Sequence, residues 1–372
     1  MSEKTEKEGS WLRRRLRKLL TDPVIRLANR YASHPVRAEV LQALDKLYAA
    51  IVEGKEKKGL VITAAATDRF IIFSDLHKGA KNGADDFRGC EQTYLDALTY
   101  YDNNKYHYVC LGDCEELWEN QLPDVRKANQ QSIEQEKAFI LRGAFTKIFG
   151  NHDLLWDQDP FAPQYLKNMY DNEVKVYAGL VLRVPADDRV LSLFLTHGHQ
   201  GDQQSDGNWF SKFFVSRIWG PFQAWLRINP NTPAYNSQMK TLHNALMYEW
   251  SSKQKDLVLV TGHTHQPVFE SLTLLENLLR KLDMAKAAAD EKMISELTDE
   301  IHKRKVELPV PGNVYDKIIP SYFNSGCCCY SDGDITGIEI ADGCIRLIKW
   351  KMDNSAATRT VLEEQKLSRL LG

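Results

Sequence analysis

Thr196-His197-Gly198-His199 is the stretch on which the reading of the fold turns. It follows the apolar run 190–195, and four other blocks repeat its form: Ser74-Asp75-Leu76-His77, Leu111-Gly112-Asp113, Gly150-Asn151-His152-Asp153 and Gly262-His263-Thr264-His265. Each comes directly after a short apolar run, and each ends in oxygen or imidazole donors. The runs 69–73, 106–111, 144–149, 190–195 and 256–260 read as buried strands, and 90–102 and 125–142 read as helices. Strands alternating with helices point to an α/β architecture. In open α/β sheets, ligands sit outside the carboxyl ends of the strands. All five blocks fall there, as one metal site at the rim of a sheet would require.

The chemistry of the blocks supports that placement. Asp75 and His77 are two residues apart, and on a strand end such neighbours share a side, so a carboxylate and an imidazole can converge. Asp113 puts a carboxylate at a sharp turn, where its two oxygens can bridge two cations. Asn151 offers a neutral oxygen, and His152, its neighbour on an extended chain, faces elsewhere. Gly150 lets the backbone pass close to the site. His197 with His199, and His263 with His265, supply four of the ten histidines of the chain in two i, i+2 pairs. One histidine is an ordinary core residue; two such pairs at strand ends argue for metal. The collected donors are Asp75, His77, Asp113, Asn151, His197, His263 and His265, enough for two sites sharing one carboxylate. Mixed nitrogen and oxygen ligation without thiolate suits Mn²⁺ first, then Fe or Zn²⁺. Two such ions about 3.5–4 Å apart activate a bridging water and clamp an in-line displacement at phosphorus.

Size and charge set the frame. The 372 residues allow one large domain with additions or two ordinary ones, and 43% hydrophobic residues support a sizeable core. The 48 basic and 50 acidic residues nearly cancel, so no polycation for nucleic acid is indicated. Lys78, Lys81, Lys212 and Arg217 near the blocks are too ordinary to support a nuclease reading. No run of 18 apolar residues and no secretory signal occur, and the odd set of seven cysteines, three of them adjacent (327–329), is not a disulfide framework. These features fit a reducing cytoplasm. Cys110 and Cys114 are expected as small buried residues.

Residues 1–59 read as an N-terminal helical extension. Within it, 10–20 place Leu12, Leu16, Leu19 and Leu20 on one basic helical face, which fits either peripheral contact with anionic lipid or docking on the domain. Residues 36–53 carry a second helix, and 53–59 a charged turn. The main domain then spans 60–350 with two insertions. The first, 203–252, is aromatic and expected as a helical cap, with Trp209 and Phe213 facing the site. The second, 272–306, is charged and expected as one or two projecting helices, a surface for oligomers or partners. Alternating runs at 335–340 and 344–350 should close the domain as a hairpin on Asp342-Gly343, followed by a C-terminal helix within 351–372.

In their order and spacing the blocks resemble the calcineurin-like metallophosphoesterase superfamily, over about residues 67–350, with Asn324-Ser325-Gly326 as its closing strand-end motif. The resemblance implies a four-layer αββα sandwich of two mixed sheets. It implies that Asp75, His77, Asp113 and His265 hold one metal ion and Asp113, Asn151, His197 and His263 the other. It further implies attack by a metal-bridging hydroxide on a phosphate ester or pyrophosphate, with His152 as general acid. Glu116 stands where phosphoprotein phosphatases have the Asp that orients this histidine, and His199 is left beside the ligands rather than among them. Leu117 and Asp153 replace the Arg and Glu of that subfamily, which disfavours a protein phosphatase. Gly112-Asp113-Cys114-Glu115-Glu116-Leu117-Trp118 looks more like the bacterial UDP-2,3-diacylglucosamine pyrophosphohydrolases, and the expected substrate is a phosphorylated small molecule or a lipid-linked one. The alternative is an interaction scaffold on the same fold with 272–306 as its partner surface.

Overall fold

The computed structural model describes residues 35–55, 58–82, 85–201, 237–304, 319–353 and 356–371. The expected helix at 10–20 and the aromatic segment with Trp209 and Phe213 lie outside them.

The strand Phe70–Phe73 (β2) shows how the layers arise. Its four residues, Phe-Ile-Ile-Phe, are all buried. Successive side chains on a strand point to opposite faces, so an unbroken apolar run needs cover on both sides. Ile72 faces a cluster shared with the second sheet, and Ile71 and Phe73 face a cluster built with helices. β2 pairs in parallel with β3 (His107–Leu111), and β3 with β4 (Phe145–Ile148), which pairs with the short β5 (Val176–Tyr177). On the other side β2 pairs antiparallel with β12 (Ile335–Ala341), which continues to β13 (Cys344–Asp353) and β14 (Ala356–Lys366). The second sheet has seven strands: β1 (Gly59–Thr63), β6 (Gly179–Ala186), β7 (Arg189–Thr196), β8 (Leu257–Thr261), β11 (Tyr322–Asn324), β9 (Val268–Phe269) and β10 (Leu272–Thr273).

Between the sheets, Ile72, Val109, Leu111 and Ile148 pack with Leu193, Leu195, Val258 and Val260. Outside the first sheet lie α2 (Glu91–Asn103) and α4 (Gln130–Leu141), through Tyr94, Leu98 and Phe139. Outside the second lie α1 (Arg37–Val52) and α7 (Ser237–Ser251), through Val40, Leu44, Leu246 and Trp250. Helix, sheet, sheet and helix follow one another, the expected αββα arrangement.

Several local expectations change. The helix expected over 125–142 is two helices, α3 (Leu122–Ala128) and α4, because Asn129 between them donates its amide to Gly79 O at 2.7 Å and Val125 O at 2.8 Å. The short helices α5 (Leu155–Gln158) and α6 (Ala162–Tyr170) precede β5. The charged run after β10 folds as α8 (Leu274–Ala287) and α9 (Glu291–Arg304), joined face to face by Leu278, Leu282, Leu297 and Ile301. The C-terminal helix is not there. Residues 356–366 form β14, an edge strand paired along its length with β13, and only a 3₁₀ turn follows at Leu367–Leu370. Its exposure alternates nearly residue by residue, and Thr358, Thr360 and Val361 are β-branched. Cross-strand pairs, Arg359 with Glu339 and Arg346 with Glu364, fix a register that helix propensity cannot match. Among the described residues no helix is long and apolar enough to cross a membrane.

Beneath the site sits a buried ion network. Glu115, after β3, accepts from Lys147 Nζ of β4 at 3.0 Å and from Trp156 Nε1 at 2.9 Å, and stands 3.3 Å from Lys78 Nζ. Lys78 also donates to Glu136 of α4 at 2.7 Å, and all four charged side chains are fully buried. Burial works against the charge of Glu115, but Lys147 and Lys78 outweigh it and hold its carboxyl down to about 2. A carboxyl lowered from its usual 4.5 stabilises the fold above that value and loses the contribution as pH falls towards 2. Glu115→Ala leaves Lys147 buried without its carboxylate, so urea denaturation should show a loss of about 3–5 kcal/mol. Glu115→Gln should flatten the stability–pH curve on that acid limb; an unchanged limb would exclude this origin.

Candidate metal centre

The five blocks converge at the carboxyl ends of β2, β3 and β4 in one sheet and of β7 and β8 in the other. The pleat does not produce the convergence. Asp75 and His77 both lie in the left-handed region, at φ 51°, as do Asp113 at 51°, His263 at 69° and His265 at 54°. Non-glycine residues avoid this region unless the surroundings impose it, and such outliers gather at functional sites. Here each left-handed residue turns the chain off its strand and swings its side chain into the space between the sheets. Two glycines permit the close approach: a Cβ on Gly150 would collide with the Asp113 carboxylate, and one on Gly262 with that of Asp75.

All the expected donors come together. His77 Nε2 lies 3.1 Å from His265 Nε2, and His265 Nε2 lies 3.2 Å from Asp75 Oδ1. His197 Nε2 is 3.0 Å from Asp113 Oδ2 and 3.2 Å from Asn151 Oδ1. Ligand atoms of Asp75, His77 and Asp113 fall within 4.8 Å of one another, and so do those of Asp113, His197 and His263. Asp113 belongs to both groups, as a shared carboxylate would. Its other oxygen accepts the backbone N–H of His152 at 2.8 Å, which ties the second block to the third. His199 is buried beside His197, with ring centroids 5.4 Å apart, outside both groups.

The electrostatics favour a cation. Burial opposes protonation of His77, but Glu116, Asp113 and Asp75 raise it to about 10. His197 rises to about 9 against its burial through Asp113 and Asp75, and His265 to about 9 chiefly through Asp75. His199 and His263 go the other way: burial lowers both, helped by the neighbouring imidazoles His197 and His243 respectively. A cluster whose carboxylates draw protons onto three imidazoles carries the negative potential a divalent ion would satisfy, and its nitrogen and oxygen donors fit such an ion.

Glu116 does more than expected. Its Oε2 hydrogen-bonds His77 Nδ1 at 2.8 Å and also lies 2.7 Å from His152 Nδ1, too poorly aligned there for a hydrogen bond, so one carboxylate stands against both the expected acid and a ligand-type imidazole. Asp153 pins the third block, accepting the backbone N–H of Cys114 at 2.9 Å and of Gly150 at 2.5 Å. Asn324 of the closing motif donates to Gly262 O at 2.6 Å and so fixes the fifth block. Cys110 and Cys114, expected as small buried residues, are buried, and a disulfide joins them across Gly112-Asp113.

Two further side chains pack on the site at positions whose role no motif announces. Trp118 stacks on His152 at 4.2 Å between ring centroids and 22° between planes, covering one face of that imidazole. His243 of α7 sets its ring 5.0 Å from that of His263, while Asn244 accepts from Thr264 Oγ1 at 3.2 Å and from Tyr322 OH at 2.9 Å. A polar His-Asn pair among the apolar residues of α7 is the signal that could have found the second.

If His77, His197 and His265 carry protons near neutrality, a bound cation must displace them. Metal affinity should therefore rise with pH up to about 9 to 10, where those imidazoles deprotonate. Titration calorimetry at pH 7 in buffers of different ionisation enthalpy should show proton release; a heat independent of the buffer would contradict this.

The model of the calcineurin-like phosphoesterase family matches residues 68–267, which contain all five blocks. Comparison with curated proteins finds no match. Among solved structures, vacuolar protein sorting 29 of Cryptosporidium parvum is 12% identical at a TM-score of 0.29, covering 81% of this chain and 100% of its own. A conserved protein of Streptococcus pneumoniae described as a phosphoesterase is 14% identical at 0.27, covering 80% and 99%. A cold-active protein-tyrosine phosphatase of a Shewanella species is 10% identical at 0.33, covering 83% and 85%. With the family model spanning more than half of its length and every block in place, this chain belongs to the calcineurin-like phosphoesterase family.

Proposed function

We propose that the chain is a dinuclear metal-dependent hydrolase of a phosphate ester or phosphoanhydride bond. The observation that carries this reading is the shared position of Asp113 in two donor groups, with His152 and Glu116 beside them. Asp75, His77, Asp113 and His265 would hold one divalent ion, Asp113, Asn151, His197 and His263 the other. The pair of ions, Mn²⁺ first and Fe or Zn²⁺ as alternatives, would supply Lewis acidity at the phosphoryl group and lower the pKa of water.

The remaining chemistry belongs to side chains. His152 Nδ1 lies 2.7 Å from Glu116 Oε2, which would leave Nε2–H to protonate a leaving oxygen. Trp118 covers one face of the ring and keeps water off it. Glu116 stays ionised, lowered to about 2 against its burial by His152 and His77, so it orients without taking the proton. The scaffold reading has less support, because no donor position is degenerate.

The test is a substrate panel with metal-reconstituted protein, comparing an aryl phosphate, a phosphodiester and pyrophosphates including a lipid-linked UDP sugar. At least one class should be hydrolysed, with activity lost on chelation. Asp113→Ala should reduce it at least about a thousandfold, roughly 4 kcal/mol in the barrier. His152→Asn should lower kcat by about 10²–10⁴ and spare substrates with a good leaving group. Hydrolysis that survives Asp113→Ala would end the mechanism, and a metal-loaded protein inert across the panel would favour the scaffold.

A further inference from the structure

The triple cysteine at 327–329 has no part in the mechanism above, yet it lies against one of the proposed ligands. The inner nitrogen of His265 is Nε2, facing Asp75 at 3.2 Å and His77 at 3.1 Å. Its outer nitrogen, Nδ1, faces Cys329 Sγ at 3.7 Å, a hydrogen-bonding distance for sulfur. Cys327, two residues back, is buried, and Cys328 packs into the core behind the first sheet.

An imidazole that gives one nitrogen to a cation carries its proton on the other, and the acceptor of that proton fixes both tautomer and ring angle. His77 and His197 have oxygen acceptors: His77 Nδ1 has Glu116 Oε2 at 2.8 Å, and His197 Nδ1 has Leu111 O at 3.0 Å. At His265 the corresponding place is taken by sulfur. The loop that delivers it is anchored on both sides. Cys328 N–H donates to Asp75 O at 3.1 Å, and Tyr330 OH donates to His265 O at 3.2 Å. Gly326, at φ 77°, makes the turn that a side chain would obstruct against Thr336.

We infer that Cys329 is the outer partner that positions His265 for the ion held with Asp75 and His77. This rests on the dinuclear reading of the site. A sulfur acceptor is longer and softer than the carboxylate and carbonyl serving the other two rings. It therefore leaves His265 the least firmly oriented of the three, and its ion the more readily exchanged.

The experiment is competitive titration of Mn²⁺ and Co²⁺ against a chelating indicator, on the full chain and on Cys329→Val and Cys329→Ser. Melting of each metal-free protein serves as the folding control, and Cys329→Ala replaces the valine variant if that control shifts. The parent should bind two ions. Losing the acceptor should weaken one of them by about 10- to 100-fold and leave the other unchanged. Serine, which keeps an acceptor, should recover most of the loss. Unchanged binding of both ions by the valine or alanine variant would overturn the inference and leave the dinuclear reading intact. A thiolate-to-cobalt charge-transfer band in the parent, absent in the serine variant, would make Cys329 a ligand and overturn the positioning role. A parent that binds no ion would overturn the dinuclear reading, and this inference with it.

Discussion

A carboxylate with no access to water must be neutralised where it stands, and Glu115 is neutralised from two directions. Lys147 reaches it from β4 and Lys78 from the loop after β2, while Glu115 itself follows β3. The three strand ends that carry Asp75, Asp113 and Asn151 are thus clamped to one point below the donors. Removing charge from water is costly, and a well-packed apolar cluster would serve stability as well or better. What the ion network adds is register: it is satisfied only when the three loops stand at one height. Glu136, which also accepts from Tyr94 at 2.8 Å and Tyr170 at 2.7 Å, extends the same requirement to α4 and its neighbours.

Above that floor the donors are held by backbone as much as by side chains. Left-handed turns at five of the seven donor positions aim the side chains inward, and the anchors are polar: Asp153 on two amides, Asn324 on Gly262, Asn244 beside Thr264. The outcome is a donor pocket preformed before any cation arrives, whose carboxylates draw protons onto the imidazoles in the ion's place. Preorganisation of this kind is how a site avoids reorganising during the reaction.

The donors were legible in the sequence because chemistry restricts residue type. Few patterns other than a metal site gather Asp75-x-His77, Gly112-Asp113, Asn151-His152 and His263-x-His265 after apolar runs. The fold followed, since those runs are short, β-branched and continuous. The reason given for convergence did not hold: i, i+2 neighbours on a pleat share a face, whereas Asp75 and His77 converge through left-handed turns that no side-chain pattern announces. The final strand was misread because charged residues such as Glu363, Glu364 and Lys366 suit an exposed helix as well as a sheet edge, and only β13 decides between them. Trp118, His243 and Cys329 were missed for a related reason. Each touches a site residue distant in sequence, and periodicity carries no record of such contacts.

The position of β2 bears on how the molecule comes into being. It is the central strand of its sheet, yet one of its two neighbours, β12, pairs Ile338 with Ile72 across most of the chain. During synthesis the strand leading to Asp75 emerges long before β12 and waits with one edge open until β12 has left the ribosome. Pairings between residues so far apart are slow to form, and an unpaired apolar strand invites association in the interval. The closing motif at 324–326 leads into β12, so the same late event completes the sheet and locks the fifth block. Maturation of the candidate metal pocket therefore waits on β12, and a nascent chain stalled short of β12 exposes a hydrophobic edge beside the donors.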